Sequence, residues 1–377
     1  MIALARKTLV YEWRRFLPVV VSIGFSGVLL LVQAALVLGI FGSASLYVTA
    51  SSGDLWVGYP GTQSVNFGRA VSPDLPMRLR MDPAVTAVEP YLWVDADWAA
   101  ERSAGNVSVY VSGISTQRDA MMFSRLLPAA LRERLREPGA VIVDPADLDT
   151  LAVETGGRAW INAHPVRVVG TLAGLRGLGG VNILTSLDTA AAIGGRGVDD
   201  GATYYLARTA DAAAAQAAHD RLRRPDSRFG PYEVWTAQAF AERTQRYWLV
   251  DTGAGVAVLF MSIIVCAVGA LITGQSLGAA IASSAREYAT LNAMGLSRGT
   301  MVRVVLEQAA WLGGVGVVLA ALAGTALLVV AHAHQVPVAM TPLVGLACVG
   351  VVAVLVLLSS VSAVRRQLDI EPAMLLR

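Results

Sequence analysis

The sequence predicts an α-helical membrane protein with four transmembrane helices and a large α+β extracytoplasmic domain inserted between helices 1 and 2. Three observations carry that expectation. Of the 377 residues, 55% are hydrophobic and only 15% are charged, where an average soluble protein has about a quarter charged. The apolar residues gather in four runs, at residues 19–40, 252–277, 304–331 and 343–363, and about 20 apolar residues in helical form cross a bilayer core. The stretch between the first and second runs has the composition of a soluble domain. A net charge of +2 gives no footprint for a nucleic-acid partner.

Taken in order, residues 1–17 carry Arg6, Lys7, Arg14 and Arg15 and place Leu9, Trp13 and Phe16 at i, i+4, i+7. This is the pattern of a cytoplasmic amphipathic helix lying at the membrane surface. Residues 18–41 form the first span. Its apolar run exceeds the 7–15 residues or so of a signal-peptide core, which favours an uncleaved span over a leader ending near Ser43, Ala44 and Ser45. The outer domain is expected over 42–248, the second span over 249–277, a cytoplasmic loop over 278–303, the third span over 304–331, a short outer loop over 332–342, the fourth span over 343–363 and a cytoplasmic tail over 364–377. The orientation follows from arginine in the short segments: Arg286, Arg298 and Arg303 fall in or beside one loop, Arg365, Arg366 and Arg377 in the tail, and none in 332–342. By the positive-inside rule both termini are cytoplasmic and the large domain lies outside.

Within the outer domain, residues 54–57, 107–111, 140–143 and 166–169 are short β-branched runs bounded by turn residues and read as strands. Residues 118–136 and 211–224 read as helices. The alternation is that of a mixed α+β domain.

Several functions are excluded or left without support. Lys7 is the only lysine, and a P-loop needs a lysine to reach the β/γ-phosphates, so any ATP hydrolysis belongs to another chain. Cys266 and Cys348 fall in expected spans and imply no disulfide framework. The His332-x-His334 pair supplies two ligands, fewer than a zinc site needs, and neither metal nor cofactor is expected. Within the expected outer domain no G-x-S-x-G occurs, and Asp95 with Asp97, like Asp199 with Asp200, reads as loop charge rather than an acid/base pair.

The segment around residues 283–299 is the most suggestive. Arg286 and Glu287 are followed by Tyr288, Leu291 and Met294 at i, i+3, i+6, then by Gly295 as a stop. A short amphipathic helix of this kind suits a groove on a partner, and an ordinary polar loop between spans is the other reading. Glu307 falls inside a span, with Arg303 four residues earlier on the same face. A structural ion pair or a functional carboxylate are both open there. Gln275 offers an interhelical hydrogen bond. Gly313 and Gly314, with Gly316, Ala320 and Gly324, give a small-residue face that serves either a dimer seam or packing within the chain.

These stretches resemble the MacB/FtsX-type (type VII) permease subunits of ABC systems, and within them the DevC-like permeases that work with a separate ATPase. Residues 286–295, REYATLNAMG, resemble the family's second-to-third span connection. MVRVVLEQAAWLGG at 301–314 is similar to the start of its third span, and residues 368–377 to its ending. FAERTQRYWLVD at 240–251, with 141–144 and 166–170, resembles the DevC-like outer domain. The resemblance implies a homodimer in a bacterial inner membrane, bound to two copies of a cytoplasmic ABC ATPase. It implies that Arg286, Glu287, Tyr288, Leu291, Met294 and Gly295 form the ATPase-coupling helix. It further implies mechanotransmission that expels a hydrophobic or amphiphilic cargo, with a periplasmic adaptor (membrane fusion) protein and an outer-membrane channel as partners. The alternative is an FtsX-like signalling subunit that transports nothing and activates an extracytoplasmic partner.

Overall fold

The computed structural model describes residues 11, 13–101, 105–178, 180–195, 197, 200–224, 227–283, 298–334, 336 and 338–368. The chain opens with the long helix α1 (Trp13–Ser43) and the single turn α2 (Leu46–Thr49). It continues through β1 (Leu55–Gly58), α3 (Leu75–Arg80), β2 (Val85–Ala100), β3 (Asn106–Ile114), α4 (Ala129–Arg134), β4 (Ala140–Val143), β5 (Arg158–Ile161), β6 (His164–Thr171) and β7 (Val181–Ser186). Then follow α5 (Leu187–Ile193), β8 (Tyr204–Thr209), α6 (Ala212–Leu222), β9 (Glu233–Thr236) and α7 (Ala237–Arg246). Three long helices end the described chain: α8 (Ala254–Ser283), α9 (Arg298–Ala333) and α10 (Pro342–Leu368). Two compact units result, one of residues 41–254 and one of residues 1–40 with 255–377.

In the α+β unit, β2 is the organising strand. Its second half pairs with β3 on one side, and its last residues pair with β5. The ladders β3–β7, β7–β4, β4–β6 and β6–β5 complete a ring of six strands that returns to β2. The first half of β2 leaves this ring and pairs with β8, which passes the sheet on to β1 and the short edge strand β9. Closing the ring removes its edges, which is how such sheets avoid edge-to-edge association.

Alternation along the strands divides the interior into two apolar clusters. Val141 and Val143 of β4, Leu55 and Val57 of β1, and Tyr205 and Ala207 of β8 face one cluster, which Leu75, Leu79, Ala215, Ala218 and Leu222 cover from α3 and α6. Ile142, Trp56, Tyr204 and Leu206 face the other, covered by Tyr47 and Val48 of α2 and by Phe240 of α7. The strands of this unit therefore read as continuous apolar runs wherever both faces are covered. Helix starts are set by caps: Ser186 Oγ accepts from the Thr189 amide, Asp211 from Ala214 and Thr236 from Ala239.

The structure corrects the sequence reading at several points. Residues 118–136 are not one helix. Only α4 is helical, because the turn before it folds inward: Phe123 is fully buried with φ of 52°. Arg132 is 3% exposed and its guanidinium donates to the Ser115 and Met122 carbonyls, contacts that periodicity does not register. Asp95 and Asp97 are not loop charges. They stand on the exposed face of β2, alternating with buried Ala96 and Trp98. His332 lies in the last turn of α9 rather than in a loop. Described residues 13–17 form the opening of α1, which continues through Pro18 into the apolar run instead of ending as a separate interfacial helix. The remaining residues of that expected helix, 1–10 and 12, lie outside the described chain.

In the helical unit, four helices are long and apolar enough to cross a membrane: Phe16–Ser43, Ala254–Ser276, Glu307–Ala333 and Pro342–Ser359. α1 is the hub. A Cβ at Gly27 would lie 2.6 Å from Ala320 Cβ, one at Gly24 would lie 2.8 Å from Leu319, and one at Gly316 would lie 2.5 Å from Ile23. Small residues on both helices thus let α1 and α9 approach closely. α1 meets α8 through a polar contact: Gln33 Nε2 donates to Ser262 Oγ at 2.9 Å and to the Val258 carbonyl at 3.3 Å.

Candidate functional site: where the spans join the domain

The arrangement with most functional content is the pair of connections through which the first and second apolar helices enter the α+β unit. At the first, α1 ends at Ser43 and the chain turns within two residues into α2. The Ser45 hydroxyl donates to the Gly42 carbonyl at 3.0 Å and accepts from Gln245 Nε2 of α7 at 2.8 Å. Tyr47, fully buried, sets its ring edge-on to Trp93 at 4.9 Å and to Phe123 at 6.0 Å.

Just beyond, the backbone is stitched to the inward turn at residues 121–125. Ser52 N–H donates to the Met121 carbonyl, Arg125 N–H to the Ala50 carbonyl, and Phe123 N–H to Ser51 Oγ, each at 3.0 Å. That turn is held from the other side by Glu89 of β2, whose carboxylate accepts the Met121 amide and, at 3.3 Å, the Met122 amide. Burial pushes the Glu89 carboxyl above its ordinary range, and burial lowers the Arg132 guanidinium, with Glu89 opposing that change. A path of direct contacts therefore runs from the end of α1 to the middle of the β2 ladder.

The second connection is α7 and the π-helical turn Tyr247–Asp251 that follows it. Thr252 and Gly253 separate that turn from α8, and Gly253 takes φ of 75°, a conformation with little cost only for glycine. α7 is strongly polar, and Phe240 is its one large apolar anchor. The Phe240 ring is fully buried, stacked on Trp235 at 4.7 Å and lying 5.6 Å from Trp56 and 5.8 Å from Tyr204. This fastening holds each connection to the interior of the α+β unit. It brings together no nucleophile–base pair, and among the described residues no group of three or more His, Cys, Asp or Glu could hold a metal.

The residues singled out in the sequence are distributed differently. Arg286, Glu287, Tyr288, Leu291, Met294 and Gly295 lie outside the described residues, as does the side chain of Arg303. Glu307 is half-buried near the start of α9, beside the buried Gln308. Gln275 is exposed on α8; the interhelical glutamine contact that is described is that of Gln33. Gly313 packs within the chain, where a Cβ would lie 3.0 Å from Val356 of α10, whereas the Cβ position at Gly314 has no neighbour within 4 Å. The two adjacent glycines thus face different surroundings. The Ser45–Gln245 contact, the Glu89 clasp and the Phe240 anchor were missed. Their only sequence signal was a buried-type aromatic in a polar helix.

Residues 20–224, more than half of the chain, match the family model of the MacB-like periplasmic core domain, and residues 259–372 match that of the FtsX-like permease C-terminal region. Among solved structures, the periplasmic region of MacB from Actinobacillus actinomycetemcomitans aligns at 13% identity over 52% of this chain and 94% of that one, with a TM-score of 0.36. The extracellular domain of the noncanonic ABC-type transporter YknZ from Gram-positive bacteria aligns at 13% identity over 48% and 99%, TM-score 0.34. A domain of a permease protein from Porphyromonas gingivalis aligns at 12% identity over 50% and 91%, TM-score 0.32. Comparison with curated protein sequences finds no match.

Proposed function

The chain belongs to the MacB/FtsX-type permease family, a group of multi-pass membrane subunits that work with ATPase partners, and on that premise we propose that it is the membrane subunit of an ABC export system. In this reading a separate cytoplasmic ATPase, two copies per homodimer of this chain, pushes on residues 286–295. The displacement passes along α1 and α8 and moves an outward-facing α+β domain to expel a hydrophobic or amphiphilic cargo. A periplasmic adaptor and an outer-membrane channel complete the route in a DevC-like arrangement, with both termini in the cytoplasm of a bacterial cell.

The observation that carries the reading is that the two segments leading to the flanking apolar helices are both fastened inside the α+β unit. A domain that merely rested beside the membrane would need one flexible tether. Here Ser45 and Gln245 join the two connections to each other, and Phe240 and Tyr47 sink each connection into the domain core. Displacement of either helix end therefore acts on packed side chains, which respond as bistable blocks rather than as soft springs.

The reading is tested on the complex co-purified with its co-expressed ATPase. Glu287→Arg and Met294→Asp are each expected to abolish association or permease-stimulated ATP hydrolysis while leaving the permease folded. Unaltered association and hydrolysis in both variants would refute the coupling role of 286–295.

A further inference from the structure

From the packing of one loop against the approach to α8, we infer that the loop at residues 62–68 is a membrane foot, which sets the Phe67 ring into the headgroup region of the bilayer on the domain's side. The loop lies about 180 residues from the π-helical turn in sequence, yet the two are joined. The Phe67 ring stacks on Trp248 at 6.0 Å with an interplanar angle of 26° and meets Tyr247 edge-on at 5.5 Å. Trp248 Nε1 donates to Ser64 Oγ at 3.1 Å.

The loop is rigid, so the exposure of its tip is built in. Val65 is fully buried. The Tyr204 hydroxyl donates to the Val65 carbonyl at 2.9 Å, and Asn66 Nδ2 donates to the Leu178 carbonyl at 3.3 Å. At Gly68 a Cβ would lie 2.5 Å from the Tyr204 hydroxyl and from Thr203 Cγ2, so the chain passes too close for any side chain. Phe67, in the middle of this pinned segment, is nevertheless 48% exposed.

The occupant follows from where Trp248 stands in the chain. It precedes Ala254, the first residue of α8 and of an apolar span, by six residues, whose π-helical turn and positive-φ Gly253 keep the separation below the roughly 20 Å of extended chain. The headgroup region is about 5–8 Å deep on each side of the hydrocarbon, and Trp and Tyr concentrate there because their rings pair an apolar body with a polar edge. Leu249 and Val250, next in the chain, are 37% and 57% exposed, extending the same apolar surface. Arg69, two residues after Phe67, is exposed with its guanidinium 5.4 Å from the Tyr59 ring centre, placing a cation where lipid phosphates lie. The foot ties a second point of the domain to the lipid surface, independently of what the domain moves.

The test uses the full chain with Cys266→Ser and Cys348→Ser, reconstituted in phosphatidylcholine–phosphatidylglycerol vesicles and carrying a nitroxide on Phe67→Cys or, as the aqueous reference, on Met77→Cys, which is 65% exposed on α3. Collision rates with oxygen and with a water-soluble nickel chelate are compared. The oxygen-to-nickel ratio is expected to be several-fold higher at position 67 than at 77. Equal ratios would overturn the inference, and so would a label at 67 shielded from both reagents, which means that protein covers the ring. If Phe67→Cys does not fold, Arg69→Cys carries the same comparison with the same two overturning results.

Discussion

Replacing Phe240 with alanine tests whether α7 is fastened to the domain by one ring. Phenylalanine buries about 150–250 Å², worth about 4–6 kcal/mol at about 25 cal/mol per Å². Alanine retains part of that area, and measured losses for Phe→Ala in cores are about 3–5 kcal/mol. The Phe240 environment favours the upper half of this range, because three aromatic rings lie within 5.8 Å of it and none can fill the space without leaving its own packing. For a domain of about 200 residues each kcal/mol moves the midpoint by about 2–4 °C, so a loss of about 4–5 kcal/mol gives an expected shift of about 8–20 °C. The assay is thermal unfolding of the purified full chain, followed by near-UV circular dichroism. Glu242→Ala serves as control, since Glu242 is exposed and accepts only from Gln238 one turn away; its shift should be within about 0.5 kcal/mol, as for ordinary surface changes. A Phe240→Ala midpoint indistinguishable from that control would refute the anchoring argument.

Three further outcomes follow from the packing. Gly201→Ala should destabilise by about 2–5 kcal/mol, combining an unfavourable positive φ with overpacking, because φ is 93° and the new Cβ would meet the Val71 carbonyl at 2.2 Å. Gly61→Ala, at φ of 78° with open space around it, should cost only the backbone part, and equal losses in chemical denaturation would contradict the clash. Asp82 is bound by Arg221 through two hydrogen bonds of 2.8 and 2.7 Å, and that contact holds its carboxyl below the ordinary value of 3.8. The depressed value means that stability is present above the ordinary value and is lost as pH falls through the folded one. The gap in unfolding midpoint between wild type and Asp82→Asn should therefore narrow below pH 4 or so, and a gap constant from pH 6 to pH 2.5 would be inconsistent with this. In the helical unit, a double-mutant cycle of Gln33→Val and Ser262→Ala in detergent should return a coupling near 0.6 kcal/mol, the usual size for such contacts in membranes; zero coupling would remove that hydrogen bond from the account.

What was legible in the sequence was what long runs and short β-branched clusters encode. The four apolar helices declare themselves because nothing but a bilayer tolerates so many consecutive apolar residues, and β4, as Ala-Val-Ile-Val between turn residues, could hardly be anything but a strand. The inward turn before α4 was hidden, since its partners Glu89 and Ser51 come from 32 and 72 residues away. β2 escaped for a similar reason. Its alternation spans two different sheets, and Pro90, Asp95 and Asp97 interrupt any single pattern. The glycines of α9 were visible as a small-residue face, but which of them meets a neighbour depends on the rotation of the helix, which separates Gly313 from Gly314. The junction of spans and domain combines residues 45, 51, 89, 123, 240 and 245, and no local window contains them.

Amide hydrogen exchange on the full permease–ATPase complex, with and without a non-hydrolysable ATP analogue, tests the central claim most directly. Force transmitted through both connections should change exchange at residues 45–50 and 121–125 and along 237–251 when the ATPase closes. Closure seen in the ATPase itself, with exchange unchanged in all three segments, would contradict the claim that this domain is driven through α1 and α8.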